Sequence, residues 1–155
     1  MNLKLKSIGI IRTPFKKKEH TPIQGKVAPD STGTVIVSKK YAAGLTDIET
    51  FTHIYLLYHF HQAGDVMLVR PTFLDDKPHG IFASRHPCRP NGVGLTIVEL
   101  KKRNGNKLIV SGIDVLDRTP LLDIKPYIPR FDYHRNASNG WVSGRKNRPK
   151  PKGRE

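Results

Sequence analysis

The dipeptide Asn104-Gly105 constrains the fold of this chain more than any other pair of residues. It lies between two runs rich in aliphatic and β-branched residues, 95–101 and 107–116. Asn-Gly readily adopts the positive φ angles of a primed two-residue turn, whose twist matches that of antiparallel strands. Similar short apolar runs recur at 5–11, 33–37, 51–60, 66–69 and 80–84, with Pro- or Gly-bearing turns between them. Residues 39–45 suit a short helical turn closed by Gly44, and Thr46 or Asp47 can cap another through residue 50. Residues 75–79 read as a surface turn. Residues 121–129 alternate, but Pro126 and Pro129 confine them to an edge strand or an extended strap. Five to seven strands, few short helices and no internal repeat predict a mostly β fold, a small antiparallel β-barrel.

Two loops stand out. Residues 12–32 carry no periodic pattern, and a connection that long in a compact domain is usually functional or disordered. Its Lys16-Lys17-Lys18 run can contact phosphate or simply face solvent. The second loop, Arg85-His86-Pro87-Cys88-Arg89-Pro90-Asn91-Gly92-Val93-Gly94, concentrates more chemistry. Pro87 and Pro90 each fix φ and remove an amide donor. Gly92 and Gly94 admit positive φ and close approach to the backbone. A stiff loop between strands, holding two guanidiniums and an amide, is where binding residues concentrate.

The net charge of +14 over 155 residues implies an anionic partner. Nucleic acid comes ahead of membrane, because no amphipathic basic helix is visible. Residues 143–155 supply a net +5 of this charge, so the remaining body is basic in its own right. The expected organisation is one domain over 1–142, followed by a basic, disordered tail over 143–155, with Trp141 and Val142 as the last anchors. No apolar run approaches the length of a membrane span. The first six residues alternate apolar and basic, unlike a signal peptide. A lone cysteine forms no internal disulfide and gives no sign of export, so the expected location is cytoplasmic.

The catalytic inventory is sparse. There is no nucleophile elbow, no Walker loop and no Gly-x-Gly-x-x-Gly after a strand. Cys88 has cationic neighbours but no base-and-orienter pair, and no second cysteine to share a zinc ion. His59 and His61 share one face of a strand, but no spacing supplies a third ligand, and no metal is expected. Asp114, Asp117 and Asp123 cluster near a strand end, either as turn caps or as acceptors for a ligand's hydroxyl or amine.

Phe82-Ala83-Ser84-Arg85, Arg89-Pro90-Asn91, Val93-Gly94 and Val98-Glu99-Leu100 together resemble the signature of the TsaA-like family, tRNA methyltransferase O. The likeness continues, in order, through Ile8-Gly9-Ile10-Ile11-Arg12-Thr13-Pro14, Gly44-Leu45, Phe51-Thr52-His53-Ile54, Phe60-His61-Gln62, residues 114–120 and Asp123-Ile124-Lys125-Pro126-Tyr127. The resemblance implies a non-Rossmann barrel that dimerises and uses S-adenosylmethionine. The implied reaction methylates N6 of threonylcarbamoyladenosine next to the anticodon of tRNA, with the anticodon arm held by its phosphates, so that RNA rather than DNA is the implied partner. It also implies a cofactor site drawn from Pro22, Ile23, Gln24, His61, Gln62, Arg85, Leu95, Asp117, Arg118, Thr119 and Pro120. Arg89, Pro90 and Asn91 carry over only as structural or substrate-facing residues. Position 118 is often glycine in such proteins but is arginine here. The tail is shorter than the extra domain of some bacterial members. No catalytic residue is assigned; Asp117 or Asp123 would serve as a late proton acceptor. The alternatives are a noncatalytic barrel that binds S-adenosylmethionine or RNA, and a methyltransferase of this family with another substrate.

Overall fold

The structure, a computed structural model, describes residues 1–151; residues 152–155, the end of the expected tail, lie outside the described residues. The strands are β1 (Gly9–Arg12), β2 (Thr32–Val37), β3 (His53–His59), β4 (Val69–Pro71), β5 (Pro78–Gly80), β6 (Val93–Asn104), β7 (Lys107–Ser111) and β8 (Thr119–Pro126). Six of them close an antiparallel barrel in the order β1-β2-β7-β6-β3-β8, and β4 and β5 form a separate ribbon. A single turn of α-helix, α1 (Pro129–Asp132), and several 3-10 turns complete the described secondary structure.

Period-two alternation explains the barrel. On β3, Ile54, Leu56 and Tyr58 point inward, and on β6 so do Gly94, Thr96 and Val98. They meet Ile11, Val35, Leu108, Val110 and Leu121 in one core. Each fully buried aliphatic contributes roughly 1.5–3 kcal/mol. The Asn104-Gly105 turn joins β6 to β7 as expected, with Gly105 at φ 62°. Past Ser111 the chain leaves the sheet, and Ile113 and Val115 turn back into the core.

Several sequence expectations need correction. β1 starts at Gly9, not residue 5. Beyond Val37, the partner of Gly9, the β2 chain turns into the 3-10 helix Lys39–Leu45, so residues 1–7 lose the β2 side of the ladder, and they do not continue the pairing with the last strand either. β4 starts at Val69, and Pro78 and His79, read as part of a surface turn, pair with it together with Gly80. Of residues 80–84, only Gly80 lies in a strand, as the end of β5. Ile81–Ala83 is one 3-10 turn that buries Ile81 and leaves Phe82 exposed. β7 ends at Ser111 rather than continuing to 116. Asp47 precedes Ile48–Thr50 at φ 67° but forms no side-chain cap. Most consequential, β8 is no edge strand, since it pairs with both β1 and β3. Its prolines, Pro120 and Pro126, sit near its two ends, which leaves the amides of residues 121–125 free to serve the ladders. Barrel closure abolishes the edge that prolines usually mark.

Candidate functional site

Close backbone approach at two glycines builds one end of the barrel. Gly94 faces Tyr58 across β3 and β6. A Cβ there would lie 2.2 Å from Tyr58 Cε2 and 2.9 Å from Phe60 Cζ. Glycine therefore lets both rings lie over β6, meeting edge-on at 5.4 Å. Gly25 rests on Gly112, where a Cβ would come within 1.9 Å of the Gly112 carbonyl oxygen. Its amide donates to Asp114 Oδ2 at 2.8 Å. Together these contacts pin the segment containing Pro22, Ile23 and Gln24 to the barrel end.

The loop over 85–92 then closes on this segment, its expected last two residues, Val93 and Gly94, having joined β6. Arg85 Nη1 donates to Gln24 Oε1 at 2.8 Å. Arg89 Nη1 donates to the Ser84 and His86 carbonyls, and His86 Nδ1 accepts the Cys88 amide at 3.1 Å. The loop is braced by its own side chains, as its prolines suggested. Trp141 Nε1 donates to the Ala83 carbonyl at 2.8 Å, and its ring stacks on His79 at 3.7 Å. The chain beyond Val142 follows the same side: Arg145 pairs with Asp75, Arg148 with Asp76, and Lys150 donates to the Lys18 carbonyl.

Between these pieces lies a cleft of about 840 Å³. It brings together Pro22, Ile23, Gln24, His61, Gln62, Arg85, Leu95 and Thr119. Of the remaining candidates, Asp117 lies elsewhere, in a smaller hollow with Arg12 and Thr13. Its carboxylate accepts from Arg12 Nε at 2.9 Å, the Thr13 amide at 3.0 Å and the Lys16 ammonium. Burial pushes this carboxyl up, but the Lys16 ammonium, the Thr13 amide and the Arg12 guanidinium outweigh burial and hold it well below the usual range. Arg118 is exposed at φ 66°, a conformation that favours glycine, and Pro120 pairs with Ile10 in the sheet. Asp123 is paired with Lys125 at 3.0 Å. Among the described residues, no three His, Cys, Asp or Glu side chains converge as a metal site.

The cleft also holds Tyr58, Phe60 and His86, which the sequence did not single out as cofactor ligands, and Asp114, which it offered only as a turn cap or an acceptor for a ligand's hydroxyl or amine. Asp114 Oδ1 is buried without a hydrogen-bond partner. Burial raises this carboxyl to about 6, against the Thr96 hydroxyl, the Gly25 amide and the Arg85 guanidinium, which favour its charged form. Burial and the nearby Asp114 push the Tyr58 phenol well above its ordinary value. Burial and three cations bring His86 down to about 4. Burial and the neighbouring His59 lower His61. Position alone distinguishes Asp114 from Asp117 and Asp123, and no spacing in the sequence carries that signal.

Residues 10–133 match the family model of the tRNA-methyltransferase O N-terminal domain. The chain is 48% identical over 135 residues to a probable S-adenosyl-L-methionine-binding protein of Pyrococcus abyssi, covering 87% of this chain and 73% of that protein. It is 35% identical to the tRNA (adenine(37)-N6)-methyltransferase of Mus musculus, covering 88% of this chain and 33% of the mouse protein. A crystal structure of TrmO superposes with a TM-score of 0.79 at 39% identity, covering 90% of this chain and 64% of that one. The chain thus spans about a third of the mouse protein and under two thirds of the solved TrmO chain.

Proposed function

The chain belongs to the family of the tRNA-methyltransferase O N-terminal domain, and from that footing we propose that it methylates N6 of an adenosine beside the anticodon of tRNA, using S-adenosylmethionine. The adenosine is taken to carry a threonylcarbamoyl group, and the reaction is placed in the cytoplasm. The observation that carries this reading is the convergence of Gln24, His61, Gln62 and Arg85 on one cleft from three distant parts of the chain. At about 840 Å³ the cleft falls within the range of ligand sites and leaves room for a nucleoside beside a cofactor. Its aromatic walls, Tyr58 and Phe60, suit an adenine ring, and the Arg85–Gln24 pair and His61-Gln62 supply polar contacts at its rim.

When bound, S-adenosylmethionine supplies a methyl group already activated on a sulfonium. The work left to this chain is orientation, exclusion of water and removal of one proton from N6. Asp114 is placed for that last task. Its Oδ1 is buried and unpartnered, and its raised pKa lies close to neutrality, where a general base works best. Asp117 is committed to Arg12 and Lys16, so the proton acceptor moves from the residues favoured by sequence to Asp114.

The proposed assembly is a homodimer. On the outer face of the barrel, Leu95 and Ile97 of β6 are 47% and 44% exposed, opposite Leu57 and Tyr55 of β3. Exposed Phe82 borders the same cleft as Leu95. A contiguous apolar face of this kind suits a protein partner, and a second copy seated there would stand at the mouth of the cleft. Lys18, Arg85, Arg89 and Lys150 around the opening would hold the anticodon arm by its phosphates, with the target base splayed out of the loop.

The test is calorimetric titration of S-adenosylmethionine, followed by single-turnover methyl transfer to tRNA and mass spectrometry of the nucleosides. Saturable binding and N6-methylated product are expected. Cofactor binding with no transfer to any tRNA would leave a noncatalytic binder and sink the enzymatic reading.

A further inference from the structure

Among the described residues, two buried donors beside the cleft have no acceptor. His86 Nδ1 takes the Cys88 amide, so the neutral ring carries its proton on Nε2, and that nitrogen is buried and unpartnered. Arg70 Nε is also buried and unpartnered, while Arg70 Nη1 reaches only the Met67 sulfur at 3.9 Å. Burying a donor without an acceptor is costly, and more so for a charged one. The charges that act on His86 are Arg70, Arg89 and Lys18, with no carboxylate among them. Lys150 Nζ, bonded to the Lys18 carbonyl, adds another cation to this corner. The acids of the adjoining ribbon are already engaged, Asp75 by His79 and Arg145, Asp76 by Arg148.

We propose that His86 Nε2 and Arg70 Nε bind an oxyanion of the substrate RNA, a carboxylate or a phosphate, in a subsite where Arg89 and Lys18 reinforce the positive field. The proposal rests on the reading of the chain as an RNA methyltransferase and adds a binding determinant to it. The cleft is electrically divided. Arg85 is the cation felt by Asp114 and Tyr58, whereas the charges that act on His86 are those of Arg70, Arg89 and Lys18. An anionic group would be repelled from Asp114 and drawn to His86, while the amine lies at the acidic side. The oxyanion has two sources. One is a carboxylate on the N6 substituent, and the other is a backbone phosphate.

The experiment uses the full chain with 15N-labelled histidine. Titration with inorganic phosphate or acetate should move the His86 imidazole resonances, and Arg70→Gln should abolish or strongly weaken that response. No movement, or the same movement in Arg70→Gln, overturns the subsite. A second comparison separates the sources, with Arg70→Gln and with His86→Asn, whose side-chain oxygen can still accept the Cys88 amide. An affinity loss of about tenfold for free threonylcarbamoyladenosine, with adenosine little affected, identifies the carboxylate. A similar loss for an anticodon-arm oligonucleotide, with or without the modification, identifies the phosphate. The small-anion titration uses no cofactor. A chain that fails to bind S-adenosylmethionine would therefore sink the functional reading and still leave the subsite decided by the ring's response.

Discussion

Two aspartates three residues apart have opposite electrostatics, and that difference yields two predictions. Asp114→Asn should lower single-turnover methyl transfer by about a hundredfold or more, the typical share of a general base, while cofactor affinity stays within a few-fold. In the wild type the rate should rise with pH through about 6, and the variant should lose that limb. Linkage adds a stability test. The Asp114 carboxyl is raised in the folded state, so its contribution is fully present below the unfolded value and is lost as pH rises through about 6. The wild-type melting temperature should carry this loss between about pH 4 and 6, and Asp114→Asn should flatten it. Asp117 runs the other way. Its contribution is present above the unfolded value and is lost as pH falls through its depressed folded value. Asp117→Asn should cost about 1–3 kcal/mol at neutral pH, read by denaturant unfolding, and should blunt the acid limb below about pH 4. Weakened cofactor binding at unchanged stability would instead return Asp117 to the cofactor site.

At the scale of elements, the site depends on how closely one backbone can lie on another. Gly25→Ala would drive a Cβ into the Gly112 carbonyl, so the segment through residues 22–24 must lift from the barrel end. Cofactor affinity should fall about tenfold or more, with a stability loss of about 1–3 kcal/mol. Calorimetry and thermal melting on the same sample check both, and unchanged affinity would remove this segment from the site. Barrel closure also explains an expectation that failed. A proline-bearing run such as β8 reads as an edge because an open sheet must have one, and pairing on both sides cannot be inferred from the run itself.

Over the whole molecule, charge and exposed apolar area set the expected assembly. Ile97→Asp places a carboxylate on the outward face of β6 and should convert a dimer to monomers in sedimentation velocity. Sedimentation indistinguishable from the wild type would place the interface elsewhere. Deleting residues 143–155 removes six cations. The dependence of log K on log salt for tRNA should become shallower, by at most roughly 0.7 for each cation that met a phosphate. Arg145, Arg148 and Lys150 contact the body, so a modest fall in melting temperature should accompany the change.

The mostly β architecture, the 104–105 hairpin, the proline-bearing loop before β6 and the basic character were legible because each follows from local chemistry. A turn dipeptide sets its own φ, a proline restricts its own backbone, alternation selects a face, and charge sums along a chain. The family likeness was legible because short signatures recur in a fixed order. Sequence could not decide which carboxylate faces the cleft, that β8 closes the barrel, or that His86 and Arg70 are left with donors and no acceptor. Those outcomes depend on which distant segments meet, Gly25 on Gly112, Arg12 and Lys16 on Asp117, Gln24 on Arg85. Burial and pairing across that distance set the charge state of a side chain, and only the tertiary structure supplies them.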